Sequence, residues 1–552
     1  MSGRSAQLAG IGGVAVAAVL VAGCRVSEDD LHRWETTQRG PEKIQAVLKH
    51  NKYEMPLRVE AAVSLIRMKA RGGRFVGIDM LVDTLSEIPG PERDKILDGL
   101  VPVLVRELEK DPPIAQSGQP APPDPSFPYK DAAYAIMTYE NEGAGKKVLL
   151  TDEKLRATLR STLIAWAMRD FDRRLENRTQ KYGMEQLLTF LGEDGVAGLP
   201  EKVTRDSKNL DRIAKLIKEL ASSATREAAS IKYVEVAKWI LSQDWVDLYK
   251  PQLEAANQRS KLEPTPEQFQ QQLENYQDEE FQRLLGHLKE VGGKAAVDFC
   301  LEVAGDLKQG KDDREKGRLK DRRLYALNAL ELKLDPKNAD HLKRIFDIAT
   351  SDSPPEVLDL ALARIGEMPR DQVIGKLYET FTKSEKWKMR QVVGRIILRM
   401  SKLENLDEFM SKLPEKEAKG FSMPEALTFG ALFAGLREGD VRKALAKYLP
   451  ESTPVAQRVT ALTFYYHWGT PDDVKSTLAP LEADKVVMPV CDTDADCKWV
   501  CYVATDPKKP EEKGPKDIKT FGDYVKDCIE PAVAEREEAR KAAEAKAAGD
   551  KK

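Results

Sequence analysis

Apolar residues recur along this chain at intervals of three and four positions, and that spacing predicts helices of about 12–16 residues separated by short turns carrying Pro, Gly, Asp or Asn. No strand–turn–strand series interrupts the body of the chain. The pattern is clearest over 322–482, where five helices can be set in register: Arg323–Leu330, Leu358–Ile365, Arg390–Ile397, Ala426–Phe433 and Arg458–Phe464. With Ala326, Leu360, Val392, Phe429 and Ala461 taken as equivalent, successive steps are 34, 32, 37 and 32 residues. In each, small residues lie one turn from large ones, which lets neighbouring helices approach closely. Between them come second helices at His341–Ile348, Val373–Tyr378 and Leu406–Met410. A helix pair repeated about every 33 residues cannot bury its apolar face alone; it stacks on its neighbours and a continuous core results.

Three segments break this rhythm. Residues 111–128 hold seven prolines in eighteen positions, so they cannot be helical and are expected to form an extended surface loop. Residues 251–283, rich in Gln, Glu and Asn, are expected to be polar connecting helices. The Ala/Glu/Lys-rich tail, 532–552, lacks an apolar face and is expected to fray.

Prolines and arginines open several of the helices, as in Pro354-Pro355-Glu356-Val357 and Pro56-Leu57-Arg58-Val59-Glu60-Ala61-Ala62. That signature resembles HEAT repeats over 55–70, 226–240 and 322–482, while the ankyrin and tetratricopeptide patterns are absent. The expected fold class is all-α: an α-solenoid of HEAT-like helix pairs with a small disulfide-braced C-terminal cap. The resemblance implies a scaffold that selects a protein partner through an extended concave surface.

The N-terminus departs from this scheme. Arg4 precedes an uncharged run from Leu8 to Ala22, too short for the ~20 residues a spanning helix needs, and the run closes on Val21-Ala22-Gly23-Cys24. It resembles a bacterial lipoprotein signal. The resemblance implies cleavage before Cys24 and acylation of that cysteine, palmitate included, so that the mature chain hangs from a membrane. Two or more chains hold firmly where one holds only marginally. Arg25, where an Asp would signal inner-membrane retention, leans toward the periplasmic side of the outer membrane. No second apolar run of spanning length follows.

Charge adds an exclusion. With 87 Lys+Arg against 90 Asp+Glu the net charge is −3, and −4 without residues 1–23, so bulk electrostatics do not favour nucleic acid. Cys300 lies in an apolar helical stretch and reads as a small buried hydrophobe. Cys491, Cys497, Cys501 and Cys528 fall close together, and in an exported chain such a cluster reads as disulfides, with three connectivities open. The spacing does not suit zinc. Val486–Val490 and Trp499–Val503 are the plausible strands and are expected to pair as a hairpin. Asp492, Asp494 and Asp496 have the spacing of half an EF-hand loop. Cys497 replaces the required Gly and Val503 the required Glu, so a solvated acidic turn is the expectation rather than a Ca²⁺ site.

No P-loop or GxSxG motif occurs in the mature chain, and the five histidines are scattered without an adjacent Glu. Tyr465-Tyr466-His467-Trp468, the densest aromatic run, reads as packing at the end of a repeat helix. No catalytic residue, metal or cofactor is therefore expected. The anticipated division is a signal peptide at 1–23, helical repeats at 24–110, the Pro-rich loop at 111–128 and irregular repeats at 129–321. HEAT-like repeats at 322–482, a Cys-rich cap at 483–531 and the charged tail at 532–552 complete it. The functional expectation is a non-catalytic, lipid-anchored scaffold binding envelope proteins. The alternatives are a small-ligand-binding lipoprotein or a non-catalytic subunit of an envelope enzyme.

Overall fold

The computed structural model describes residues 26–70, 75–114, 122–139, 148–384, 387–413, 429–436, 440–488, 499–506 and 509–549. The stretch 1–23, Cys24, Cys491, Cys497 and the aspartates at 492, 494 and 496 lie outside them. The chain divides into two compact units, Met1–Trp239 with Glu290–Gly293, and Ile240–Lys289 with Lys294–Lys552.

The first unit holds α1 (Glu28–Trp34), α2 (Gly40–Lys49), α3 (Met55–Arg67), α4 (Val76–Glu87), α5 (Gly90–Glu109) and α6 (Phe127–Thr138). It continues with α7 (Glu153–Met168), α8 (Phe171–Glu176), α9 (Met184–Leu191), α10 (Glu193–Val196), α11 (Leu210–Leu220) and α12 (Ser223–Ile240), whose last residue falls in the second unit. Helices α3, α5, α7, α9 and α11 touch in series, and so do α2, α4 and α6. Two layers of helices result.

The second unit repeats that order. It comprises α13 (Gln243–Arg259), α14 (Pro266–Val291, crossing the boundary), α15 (Lys294–Ala304), α16 (Asp313–Ala329), α17 (Ala339–Thr350), α18 (Pro355–Gly366), α19 (Arg370–Lys383) and α20 (Trp387–Arg399). Then come α21 (Leu406–Ser411), α22 (Val441–Ala446), α23 (Val455–Trp468), α24 (Phe521–Tyr524) and α25 (Glu530–Gly549). One layer runs α16–α18–α20 and the other contains α15–α17. The fold class is thus all-α, HEAT-like helix pairs stacked in chain order, with a disulfide-braced C-terminal segment. The polar stretch 251–283 is helical, in α13 and α14.

The core follows the expected faces. In α18, Val357, Ala361, Leu362 and Ile365 are buried, one stripe of a 3.6-residue period. Gly394 in α20 shows why small residues recur: a Cβ there would fall 2.5 Å from the Phe429 ring. Phe429 packs with Phe381 and Phe409, ring centroids 5.8 and 5.3 Å away.

Arginines near the starts of α3, α12, α20 and α23, and Arg323 in the C-terminal half of α16, which begins ten residues before it, have a common task. Arg58 donates to the Leu48 carbonyl at 2.9 Å, Arg226 to Ala221 at 3.1 Å, Arg323 to Ala304 at 2.7 Å, Arg390 to Ser384 at 2.7 Å and Arg458 to Leu449 at 2.6 Å. Each acceptor lies at or just beyond the end of the preceding helix. The last carbonyls of a helix lack intrahelical partners and carry the negative end of its dipole, so a guanidinium there satisfies both.

Two expectations are corrected at the C-terminus. The hairpin pairs β1 (Val500–Asp506) with β2 (Lys509–Asp517), antiparallel, with Cys501 opposite Lys516; residues 486–488 do not pair with β1. Val487 instead bridges Thr520. A Pro- and Lys-rich sequence such as β2 carries little strand propensity, and the disulfide between Cys501 and Cys528 ties its partner strand to the helical segment that follows it. The tail is also helical from Glu530, and its first turns dock. Val533 is buried, and Arg536 donates to carbonyls at the end of α23, that of Gly469 at 3.3 Å among them. One apolar residue and one arginine suffice where no apolar stripe is present.

Candidate functional site

Between the C-terminal ends of α18 and α20 lies a cleft of about 400 Å³. Its apolar lining is Ala363, Gly366, Met368, Ile396 and Met400, and its charged lining is Glu367, Arg370 and Arg399. Glu367 is held by Arg364 at 2.6 Å, and Arg370 by Glu408 at 2.6 Å. Arg399 and, one turn earlier, Arg395 make no hydrogen bond or ion pair with any described residue. A smaller cleft of about 310 Å³ lies at the ends of α15 and α17, with Leu301, Leu307, Ile348, Arg323 and Arg344 in its lining. Its cations are already committed: Arg323 to Ala304 and Ser353, and Arg344 to the Asp298 carbonyl at 2.9 Å. The two clefts therefore differ in the charge they offer.

The first unit contains a buried polar lock that sequence reasoning missed. Arg174 is fully buried and bonds Asp124 at 2.8 and 3.1 Å, lies 4.2 Å over the Trp166 ring, and donates to the Trp166 carbonyl. Asp124 also accepts from the Ser126 amide at 2.9 Å, and the Trp166 indole donates to the Ser126 hydroxyl at 2.8 Å. Beside it, Lys130 and Asp131 form a second buried pair at 2.5 Å. Asp131 accepts from the Lys181 and Tyr182 amides at 2.8 and 3.1 Å, and Lys130 donates to the Tyr182 carbonyl. Two loops, 122–126 and 177–183, are thereby fixed. The Pro-rich segment is accordingly no free surface loop at its C-terminal end: Asp124 and Ser126 are buried. Burial lowers the Lys130 ammonium despite Asp131. Burial would raise the Asp124 carboxyl, but bonds from Ser126 and Arg174 outweigh it and hold it below the usual range. The legible signal was Lys130-Asp131, two opposite charges amid the apolar residues of α6.

Adjoining loop 177–183 is a polar cleft of about 570 Å³, whose lining includes Asn177, Arg178, Gln180, Gln186 and Arg212.

Of the cysteines, Cys501 and Cys528 are bonded, with Cα atoms 5.6 Å apart, and Cys300 is a buried free thiol that burial pushes up to about 12. The run 465–468 is mainly packing. Tyr465 is buried and donates to the Arg442 carbonyl at 2.9 Å, Tyr466 stacks on Tyr524, and Trp468, half-exposed, donates to the Ala431 carbonyl at 2.9 Å. Burial and then Arg536 lower the His467 imidazole. Among the described residues no group of three or more His, Cys, Asp and Glu could hold a metal ion, and no helix is long and apolar enough to cross a membrane.

No family model matches the chain, and no curated protein matches it. Among solved structures it is similar to the crystal structure of Kap121p, at 11% identity and a TM-score of 0.26, covering 85% of this chain and 45% of that one. A crystal structure of a Kap121p mutant is similar at 11% identity and a TM-score of 0.25, covering 84% and 45%. The chain spans about half the length of those structures. The fold assignment rests on the helix packing described above, not on these likenesses.

Proposed function

We propose that this protein is a non-catalytic scaffold, anchored in a bacterial cell envelope by acyl chains on Cys24, that binds envelope proteins through its helix-pair surfaces. The observation that supports this most is the α16–α18–α20 layer, whose cleft sets a methionine-containing apolar lining beside Arg399, which has no described partner. Such a surface suits a peptide or helix of another protein: unbranched Met side chains adapt to varied shapes, and arginine is enriched at interface hot spots. No cofactor is invoked, and nothing in the charge balance calls for nucleic acid.

The test is in-cell crosslinking of the tagged protein, detergent extraction and mass spectrometry. Stoichiometric recovery of one or two envelope proteins, lost on substitution within the α18–α20 cleft, is the expected result; a protein recovered repeatedly without a partner would rule the scaffold out. Cys24→Ser separately tests the anchor: it should abolish acyl labelling and leave the protein unprocessed or released. A second reading, a small-ligand-binding lipoprotein, is favoured by the polar cleft beside loop 177–183, whose volume falls in the range of small-molecule sites. A thermal-shift screen of polar metabolites separates it from the first.

A further inference from the structure

We infer that the α18–α20 cleft, together with Leu332, seats a bulky apolar side chain of a partner peptide whose neighbouring residues are carboxylates; this rests on the scaffold reading and names the chemistry of the partner. The argument begins with a residue that is costly on two counts. Leu332 has φ of 55°, in the left-handed region that favours glycine, and it is 77% exposed. It lies in the turn after α16, two residues beyond the C-cap Leu330. The other non-glycine residues with positive φ among the described residues, Asp170 and Lys261, are polar. A leucine here gains nothing from burial within the chain and strains its own backbone. Strained residues persist where their surroundings over-determine them, and they cluster at ligand clamps.

Those surroundings lead to the cleft. The Leu332 amide donates to the Glu367 carboxylate at 2.8 Å, and the other oxygen of Glu367 pairs with the buried Arg364 at 2.6 Å. Glu367 is itself part of the cleft lining. One neutralised carboxylate therefore connects the displayed leucine to a recess containing Met368, Ile396 and Met400. Leu332 is not itself part of the cleft lining; its amide is bonded to Glu367, which is.

Charge then selects the occupant. Glu367 and Arg370 are paired internally, whereas Arg395 and Arg399, four positions apart on one face of α20, have no described partner. Asp359, an exposed carboxylate one turn before Ala363 on α18, does not line the cleft. Among the described residues lining the cleft the unpaired charge is positive. A leucine- or phenylalanine-sized side chain flanked by Glu or Asp matches both the recess and the Arg399 guanidinium on its lining, with Arg395 one turn away on α20. A peptide with the same apolar residue and lysine flanks matches only the recess.

The experiment is methyl NMR of the full mature chain labelled at methionine, titrated with two synthetic peptides that share their leucines and differ in glutamate or lysine flanks. The glutamate peptide should shift the Met368 and Met400 methyls and bind about ten-fold more tightly than the lysine peptide. No shift with the glutamate peptide, or equal binding of both, overturns the proposal. Leu332→Gly should weaken the glutamate peptide by about three-fold or more while leaving Tm unchanged or raised, because glycine fits the left-handed backbone. Unchanged affinity in that variant removes Leu332 from the site and overturns the proposal as stated. Arg399→Glu should erase the preference between the peptides; a preference that persists overturns the charge argument. Failure of the peptides alongside recovery of a stoichiometric partner by crosslinking would reject this inference and leave the scaffold reading standing.

Discussion

Loop 122–126 in the first unit and segment 484–488 in the second are both irregular, and both are held by a buried guanidinium. Arg174 bonds Asp124, caps the Trp166 carbonyl and lies over the Trp166 ring. Arg458 bonds Asp484, caps the Leu449 carbonyl and lies 4.4 Å from the Phe521 ring centroid. Each carboxylate in turn accepts from a backbone amide two residues on, Ser126 at 2.9 Å and Val486 at 2.8 Å. The difference is what reinforces the device. In the first unit it is another buried ion pair, Lys130–Asp131; in the second it is the covalent Cys501–Cys528 bond. Loop 122–126 has helices on both sides of it in sequence, so noncovalent contacts can close around it. The C-terminal segment buries Phe521, Tyr524, Val525 and Ile529 but also carries a two-stranded hairpin, and the disulfide ties that hairpin to the buried residues.

The comparison can be broken most severely at the carboxylates. Asp124→Ala and Asp484→Ala each leave a buried guanidinium without its partner, at a cost of about 3–5 kcal/mol. Hydrogen exchange should rise over 122–138 in the first variant and over 484–488 and 518–529 in the second. Protection unchanged in either would show that the pair is dispensable there. Removing the covalent brace comes next: the double variant Cys501→Ala, Cys528→Ala should destabilise the cap by about 2–4 kcal/mol in urea and leave exchange at 122–138 as before. Loss of protection in the first unit would contradict the division of roles.

Acid sharpens the contrast more gently. The folded His467 imidazole is lowered by burial and by Arg536, so the unfolded chain binds the proton more readily. Its contribution is present above about pH 6.5, the unfolded value, and is lost as pH falls through the lowered folded value. Asp124 is also lowered, but from a carboxylate reference; its contribution is present above about pH 3.9 and lost only below that. The cap should therefore loosen first on acidification, and His467→Gln should flatten that early loss. A first unit that loosens before the cap would reverse the assignment. The smallest effect is expected at Lys513–Glu535, an exposed pair at 2.7 Å: Glu535→Gln should change cap stability by less than about 0.5 kcal/mol, leaving Val533 and Arg536 as the tail's attachment. A larger change would move that attachment to the surface pair.

Most of the helical architecture was legible from spacing alone. The aligned helices at 323, 358, 390 and 458 fall within α16, α18, α20 and α23, and the second helices within α17, α19 and α21. The arginines at 323, 390 and 458 were visible, although α16 begins ten residues before Arg323. Their acceptors were not, because a carbonyl at the end of the preceding helix carries no sequence mark. The cleft was illegible for the same reason: Met368 and Met400 are ordinary apolar residues until α18 and α20 bring them together.

By itself the sequence determined the helix class, the repeat period and the faces that make the core, because these depend on contacts a few residues apart. It also supplied the cysteine cluster and the lipoprotein-like N-terminus. Tertiary structure decided that Cys501 meets Cys528, that β2 rather than 486–488 pairs with β1, and that Asp124 and Arg174 are buried together. It also decided that Leu332 stands strained and exposed beside Glu367. The contacts Cys501–Cys528, Leu332–Glu367 and Asp124–Arg174 join residues 27, 35 and 50 positions apart. Local periodicity places no constraint on where a chain returns; packing does, once the helix pairs have stacked.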